Sequence, residues 1–198
     1  MKTILLSTLV GAVAIIASHA QEIGKAAPSF TAKNVKGEAV SLADFKGKTV
    51  VLEWFNFSCP FVQKHYSGGN MQKLQDDAAA KGVIWLSINS SAVGNQGYCD
   101  PAKMTECIAR ERNKAAHVLL DPDGIVGKSY AAKVTPHLFI INKEGILSYD
   151  GAIDSKPSTE SADIAAATPL FANALEAVLA GKEVTEAKNK PYGCSVKY

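Results

Sequence analysis

One long apolar segment constrains the fold of this chain more than any other feature. Thr49 to Phe55 reads TVVLEWF, a run of β-branched and aromatic residues that only Glu53 interrupts. A strand without alternating polar residues is typically buried on both faces, in the middle of a sheet that has helices on both sides. Because strand-like and helix-like segments alternate along residues 21–198, the sequence predicts a single α/β domain with a mixed central β-sheet flanked by helices.

The elements after the buried strand follow from local signals. A helix is predicted to begin at Pro60 and to continue to Lys81, with a kink or interruption at Gly68-Gly69. Short polar turns separate the remaining elements. These are a second buried strand over Val83–Asn89, a hairpin of Leu138–Asn142 with Ile146–Ala152, a long amphipathic helix over Asp163–Ala180 and a polar tail over 182–198.

The first 20 residues have the pattern of a cleavable signal peptide. Lys2 supplies the positive charge, Ile4–Ala17 is apolar, and Ser18-His19-Ala20 offers a cleavage site after Ala20. The apolar run is short for a membrane-spanning helix. We therefore expect a periplasmic or secreted protein, without stable membrane insertion once the signal is removed.

The charge balance argues against one class of partner. Lys plus Arg number 21 and Asp plus Glu number 19, so the formal net charge is +2. Surfaces that bind nucleic acid carry a marked excess of basic residues. We expect no nucleic-acid partner.

Cys59 is the leading candidate for chemistry. It follows the buried strand and precedes Pro60, a residue favoured in the first turn of a helix. The free N–H groups and partial positive charge of a helix N-terminus stabilise a thiolate, which is the nucleophilic form of cysteine. Cys59 is therefore predicted to be a reactive nucleophile.

Two further features point to the same place. Glu53 lies six residues before Cys59 in the buried strand, and a buried carboxyl group with a raised pKa could pass protons. Thr135-Pro136 precedes another predicted central strand, where proline is unusual. A cis peptide bond in a turn would explain it.

Several further motifs occur along the chain. They are Gly24-x-x-x-Pro28-x-Phe30, Val40-Ser41-Leu42, Phe45-Lys46-Gly47, Cys59 to Tyr66 (CPFVQKHY) and Gly193 to Tyr198 (GCSVKY). Together these motifs resemble exported peroxiredoxin-like proteins of the AhpC/TSA type, in the redoxin branch of the thioredoxin superfamily. The resemblance implies a thioredoxin-like fold and thiol redox activity without an organic cofactor. It also implies that Cys59 attacks, that Glu53 is the buried acid, and that Pro60, Thr135 and Pro136 border the bound substrate.

The chain also departs from the patterns of these families. Thioredoxins have a second cysteine three residues after the first, where this chain has Val62. Peroxiredoxins have Thr or Ser three residues before the reactive cysteine and Pro seven before it; Asn56 and Leu52 stand there. Copper carriers of the superfamily have a second cysteine where Gln63 stands, so no metal site is expected. The peroxiredoxin arginine has no obvious equivalent either, since the chain contains only Arg110 and Arg112.

Reduction of a disulfide needs two thiols, so the second thiol must then lie far from Cys59 in the sequence. Cys194, in a tail expected to be mobile, is the favoured resolving cysteine, because a second thiol can displace the substrate from a mixed disulfide. Cys99 and Cys107 are expected to form a local structural bridge. The alternative makes Cys99 the resolving thiol, because four cysteines allow three pairings.

These observations favour an exported thiol–disulfide oxidoreductase. Its substrate would be a protein or small-molecule disulfide, and a thiol would reduce it again. The alternatives are a thiol-dependent peroxidase that uses the same Cys59, or a thioredoxin-fold binding module without catalysis.

Overall fold

The structure is a computed structural model that describes residues 21–198, so the expected signal peptide lies outside the described residues. Within this range no helix is both long enough and apolar enough to cross a membrane. Short 3-10 helices occupy Leu42–Phe45 and Ser161–Ala166. The strands and α-helices are β1 (Thr31–Asn34), β2 (Ala39–Ser41), β3 (Val50–Trp54), α1 (Pro60–Ser67), α2 (Asn70–Ala80), β4 (Ile84–Asn89), α3 (Pro101–Glu111), β5 (His117–Leu120), α4 (Ile125–Ser129), β6 (Val134–Thr135), β7 (His137–Ile141), β8 (Leu147–Gly151), α5 (Leu170–Leu179) and β9 (Cys194–Ser195).

Seven strands form one mixed sheet in the order β2-β1-β5-β4-β3-β7-β8. Strand β3 runs parallel to β4 and antiparallel to β7, and β4 runs parallel to β5. The other neighbours are antiparallel. Strand β3 therefore lies inside the sheet, and the mixed α/β architecture expected from the sequence is confirmed.

The sheet has an apolar core on each face. Successive side chains of β3 point to opposite faces, so Val51 belongs to one core and Val50, Leu52 and Trp54 to the other. Residues of α1, α2, α3 and α5 pack in the first core, and residues of α4 pack in the second. Burial on both faces is the reason that β3 contains no exposed residue.

The predicted interruption of the helix at Gly68-Gly69 is confirmed. Helix α1 ends at Ser67 and α2 begins at Asn70. Gly69 between them has a φ of 79°, in the left-handed region that glycine adopts without steric cost. The chain changes direction here and carries α2 over the same face of the sheet.

The predicted long helix over Asp163–Ala180 is wrong. The segment divides into the 3-10 helix at Ser161–Ala166 and the α-helix at Leu170–Leu179. Pro169 separates them, because proline has no N–H to donate and its ring disfavours helical geometry in the residue before it. The amphipathic spacing of the side chains continues across the point where the helix is interrupted, so the spacing alone predicts one helix where there are two.

The C-terminal tail is docked on the domain, although the sequence suggested a mobile segment. Strand β9 pairs antiparallel with β6, joining Thr135 to Cys194 and Val134 to Ser195. Beyond it, the Val196 N–H donates to the Lys133 carbonyl. The tail thereby lies across the end of the sheet at which α1 begins.

Candidate active site

Cys59 lies where the loop after β3 turns into α1. It is the N-cap of the helix, with extended backbone angles, and Pro60 is the first helical residue. Its carbonyl accepts hydrogen bonds from the N–H groups of Val62 and Gln63, each at 3.0 Å. The sulfur thus lies at the positive end of the helix, as the sequence predicts, but the residue is only 1% exposed.

The Thr135–Pro136 loop faces Cys59. The peptide bond between these residues is cis, and the Cys59 sulfur lies 3.2 Å from the Thr135 carbonyl oxygen. That carbonyl belongs to the residue just before the proline, so the loop borders the sulfur directly. Cys59, Pro60, Thr135 and Pro136 therefore converge from two segments 76 residues apart.

Cys194 completes this group. Its sulfur lies 2.6 Å from that of Cys59, although 135 residues separate them in sequence. Burial, the hydrogen bond with Cys59 and the charge of Cys59 raise the pKa of the Cys194 thiol to about 12. Cys194 therefore keeps its proton at neutral pH.

Gly193 permits this approach. Its φ of 141° lies in the region that favours glycine, and a Cβ atom there would lie 1.9 Å from the Thr135 carbonyl oxygen. No side chain fits in that space. Glycine before Cys194 is thus a steric requirement for the tail to pair with the cis-proline loop.

A buried polar cluster holds the tail two residues before Cys194. Tyr192 donates its hydroxyl to Asp154, and the Lys64 ammonium lies 3.3 Å from both the other Asp154 oxygen and the Tyr192 hydroxyl. Lys64 also donates to the Lys156 carbonyl at 2.7 Å. The Lys64 side chain is fully buried and that of Asp154 is 6% exposed, so water hardly screens their attraction.

His65 belongs to the same cluster. Asn70 donates its amide to Nδ1 at 2.9 Å, which assigns the proton to Nε2, and Nε2 lies 3.3 Å from the Tyr192 hydroxyl. Burial is the main effect on this ring and lowers its pKa to about 4, so His65 is neutral at pH 7. Lys64 and His65 therefore hold the tail, and among the described residues neither forms a hydrogen bond with Cys59.

Glu53 is fully buried, and among the described residues it forms no hydrogen bond with either sulfur. Its carboxyl accepts hydrogen bonds from Trp85 at 2.8 Å, Ser87 at 2.7 Å and Tyr66 at 2.9 Å. Burial raises its pKa, against the opposing effect of these donors. The hydrogen-bond partners of Glu53 therefore do not include Cys59, the other residue predicted to act at this site.

The other two cysteines form a separate pair. Cys99 precedes α3, and Cys107 lies within this helix. Burial, followed by the charge and hydrogen bond of Cys107, raises the pKa of Cys99. All four cysteines are thiols in the structure. The grouping of Cys99 with Cys107 and of Cys59 with Cys194 is the arrangement favoured from the sequence, while a Cys99–Cys107 bridge stays a prediction.

Several other polar residues have structural positions. Asn56 accepts from the Ser58 N–H at 2.8 Å and shapes the loop before Cys59. His137 is buried, and its Nε2 forms a hydrogen bond of 2.7 Å with a carboxylate oxygen of Asp150. Arg110 pairs with the neighbouring Glu111 on the exposed side of α3. No group of three or more His, Cys, Asp or Glu side chains within residues 21–198 is placed to hold a metal ion.

Sequence reasoning missed Asp154 and Tyr192. Their contribution depends on Lys64 and His65, which occupy buried positions on α1 between the apolar Val62 and the buried Tyr66. A buried lysine requires an anionic partner, and this requirement was the one available signal for a residue such as Asp154. It could not show which of the acidic residues of the chain would supply that partner.

The chain is similar to a known family of redox proteins. The model of the AhpC/TSA family matches residues 23–150. The thiol-disulfide oxidoreductase ResA of Bacillus thuringiensis subsp. konkukian is 28% identical over 126 residues, which are 63% of this chain and 66% of that protein, just under two thirds of its length. A thioredoxin peroxidase of Echinococcus granulosus is 31% identical over 143 residues, covering 63% of this chain and 68% of that protein.

Solved structures show the same fold. An uncharacterised conserved protein from Geobacillus kaustophilus has a TM-score of 0.75 and 29% identity, covering 89% of this chain and 92% of its own. The thioredoxin domain of a thiol-disulfide oxidoreductase from Bacteroides vulgatus has a TM-score of 0.53 and 21% identity, covering 73% of this chain and 96% of its own. The fold is thioredoxin-like, as the motifs implied.

Proposed function

Because the chain belongs to the AhpC/TSA family, we propose that it is a thiol–disulfide oxidoreductase with Cys59 as nucleophile and Cys194 as resolving thiol. The contact between the two sulfurs carries this proposal. Cys59 has the helix N-terminus that stabilises a thiolate, whereas the raised pKa of Cys194 keeps that thiol protonated until it reacts. Cys59 thus has the position at a helix N-terminus that suits an attacking thiol, and Cys194 has the raised pKa that suits a resolving thiol.

The reaction consists of two exchanges. The Cys59 thiolate attacks a substrate disulfide, so that one sulfur bonds to Cys59 and the other leaves as a thiolate that takes up a proton. Cys194 then loses its proton and attacks the Cys59 sulfur, which releases the second substrate thiol. The substrate gains two electrons and two protons, and the protein keeps a Cys59–Cys194 disulfide. A thiol reductant reverses these exchanges and restores both thiols.

Glu53 and the cis-proline loop have supporting roles in this proposal. Glu53 is buried with a raised pKa, which suits a group that takes up and returns a proton during the exchanges. Since Glu53 forms no hydrogen bond with either sulfur among the described residues, it would act through intervening groups. The Thr135–Pro136 loop and Pro60 border the sulfur, and an extended substrate would pair with the loop backbone.

Peroxide reduction is the second candidate. It is favoured by the similarity to the Echinococcus thioredoxin peroxidase. In this reaction the Cys59 thiolate attacks one oxygen of hydrogen peroxide, the O–O bond breaks, and the other oxygen leaves as water, so that Cys59 becomes a sulfenic acid. Cys194 then attacks the Cys59 sulfur and displaces a second water to form the same disulfide. Arg110 and Arg112 lie at the end of α3, and within the described residues neither forms a hydrogen bond or ion pair with the Cys59 region. The geometry therefore supports disulfide exchange better.

The proposal also includes export of the protein from the cytoplasm. The charge, apolar run and cleavage site in residues 1–20 support a periplasmic or secreted protein. An oxidising compartment contains protein disulfides on which such an enzyme could act.

The test is single-turnover exchange by the reduced protein with a chromogenic aryl disulfide, with hydrogen peroxide in a parallel arm. The wild type should release two aryl thiols per protein. Cys194→Ser should release only one and retain an adduct on Cys59, and Cys59→Ser should abolish the fast phase. Mass mapping locates each adduct and each disulfide.

Cys107→Ser is the matched control, because it removes a buried thiol outside the proposed pair. It should release two aryl thiols, like the wild type. Release of both thiols by Cys194→Ser, or a Cys59–Cys99 disulfide in the oxidised wild type, would refute Cys194 as the resolving thiol. A fast peroxide reaction beside slow exchange would favour the peroxidase, and an inert Cys59 would favour a binding module.

A further inference from the structure

The last nine residues, 190–198, form what we call the strap. The strap contacts the domain before, at and after Cys194. Tyr192 enters the buried cluster with Asp154, and β9 pairs with β6. Beyond β9, the Ala92 N–H donates to the Lys197 carbonyl at 2.7 Å. A segment held along its whole length is part of the folded domain.

The strap covers Cys59. The nucleophile is 1% exposed, and its sulfur lies 3.2 Å from the Thr135 carbonyl oxygen and 2.6 Å from the Cys194 sulfur of the strap. Strand β9 also uses the backbone edge of Val134–Thr135, where the proposed function places an extended substrate. A substrate chain and the strap cannot pair with this edge at the same time.

Tyr198 anchors the far end. Its hydroxyl donates to the Ala132 carbonyl at 2.8 Å, and its ring lies against α4 with the Lys128 ammonium 5.4 Å from the ring centroid. The ring occupies the space left by two glycines: a Cβ on Gly124 would lie 2.4 Å from it, and one on Gly127 would lie 2.5 Å from it and 2.9 Å from the Ser90 hydroxyl. The surface is thus shaped to receive this aromatic side chain.

We propose that the strap is an autoinhibitory segment that occupies the substrate groove, and that Tyr198, seated on Gly127, controls how often Cys59 is uncovered. This inference rests on the proposed function, because it assigns a second role, the exclusion of substrates, to the strap that carries the resolving Cys194. Cys194 resolves only while the strap is docked, and substrate reaches Cys59 only while the strap is lifted. The enzyme would therefore alternate between the two arrangements in each cycle.

The test measures alkylation of Cys59 by iodoacetamide in the reduced full chain, read from the Cys59 peptide by mass spectrometry. Gly127→Ala places a methyl group in the Tyr198 seat, and Tyr198→Ala removes the ring. Each variant should raise the alkylation rate about tenfold, because local opening becomes more frequent when an anchoring aromatic contact is lost.

Gly68→Ala is the matched control. It lies in ordinary right-handed backbone after α1, and a Cβ there would meet no atom closer than 3.8 Å. It should leave the rate within about twofold of the wild type, as surface substitutions usually have small effects. Urea unfolding of each variant verifies that the domain stays folded.

Three outcomes would overturn the proposal: unchanged alkylation in both variants, a rise in only one of them, or an equal rise in Gly68→Ala. Alkylation needs neither a substrate nor a resolving thiol. Its failure would therefore leave the exchange chemistry of Cys59 and Cys194 standing, and failure of the exchange test would leave the strap standing.

Discussion

Asp154→Asn tests how much of the stability depends on the cluster that holds the tail. The substitution keeps the size of the side chain but removes the only carboxylate that pairs with Lys64 among the described residues. The Lys64 ammonium, with a fully buried side chain, would keep only the Lys156 carbonyl and the Tyr192 hydroxyl. Removing one partner of a buried ion pair typically costs about 3–5 kcal/mol, because the other charge stays out of water. We expect a loss of that size in the free energy of unfolding.

Urea unfolding followed by tryptophan fluorescence measures this loss, since Trp54 and Trp85 are both buried. Asp77→Asn is the control. It breaks the pair with Lys73, whose side chain is 73% exposed, and should cost less than about 1 kcal/mol.

Lys64→Met combined with Asp154→Asn removes both charges and should recover most of the loss, because no unpaired charge then stays buried. A loss below about 1 kcal/mol in Asp154→Asn alone, or no recovery in the double variant, would refute the buried-pair argument.

Two further predictions concern pH. The pKa of His65 is about 4 in the folded chain and near 6.5 when unfolded, so the unfolded state binds the extra proton and stability falls as the pH drops from 6.5 to 4. His65→Gln should reduce that fall, measured by urea unfolding at pH 7 and pH 4.5, and equal falls in both proteins would contradict it. Glu53 has a raised pKa, so the folded state binds the proton more tightly and the free energy of unfolding declines as the pH rises above 4.5. Glu53→Gln should flatten this decline and remove the contribution of Glu53 to the pH–rate profile of the exchange, whereas an unchanged pH–rate profile would exclude Glu53 as a proton relay.

Local rules of chain geometry account for much of what could be predicted. The buried strand, the helix beginning at Pro60 and the break at Gly69 all depend on residues within a few positions of one another. The same rules were insufficient at Pro169, where one long helix was predicted. The amphipathic period describes only the side chains, whereas Pro169 interrupts the helix because its backbone has no N–H to donate. The cis bond at Pro136 was also a local inference, and the structure has it.

The sequence by itself determined that Cys59 follows a buried strand and begins a helix, because strand burial and helix initiation depend on neighbouring residues. Only the tertiary structure decided that Cys194 lies against Cys59, that Asp154 and Tyr192 meet Lys64, and that the strap covers the nucleophile. These contacts join residues 90 to 135 positions apart. They exist because the sheet brings the ends of distant segments together, and no local pattern specifies which distant groups will meet.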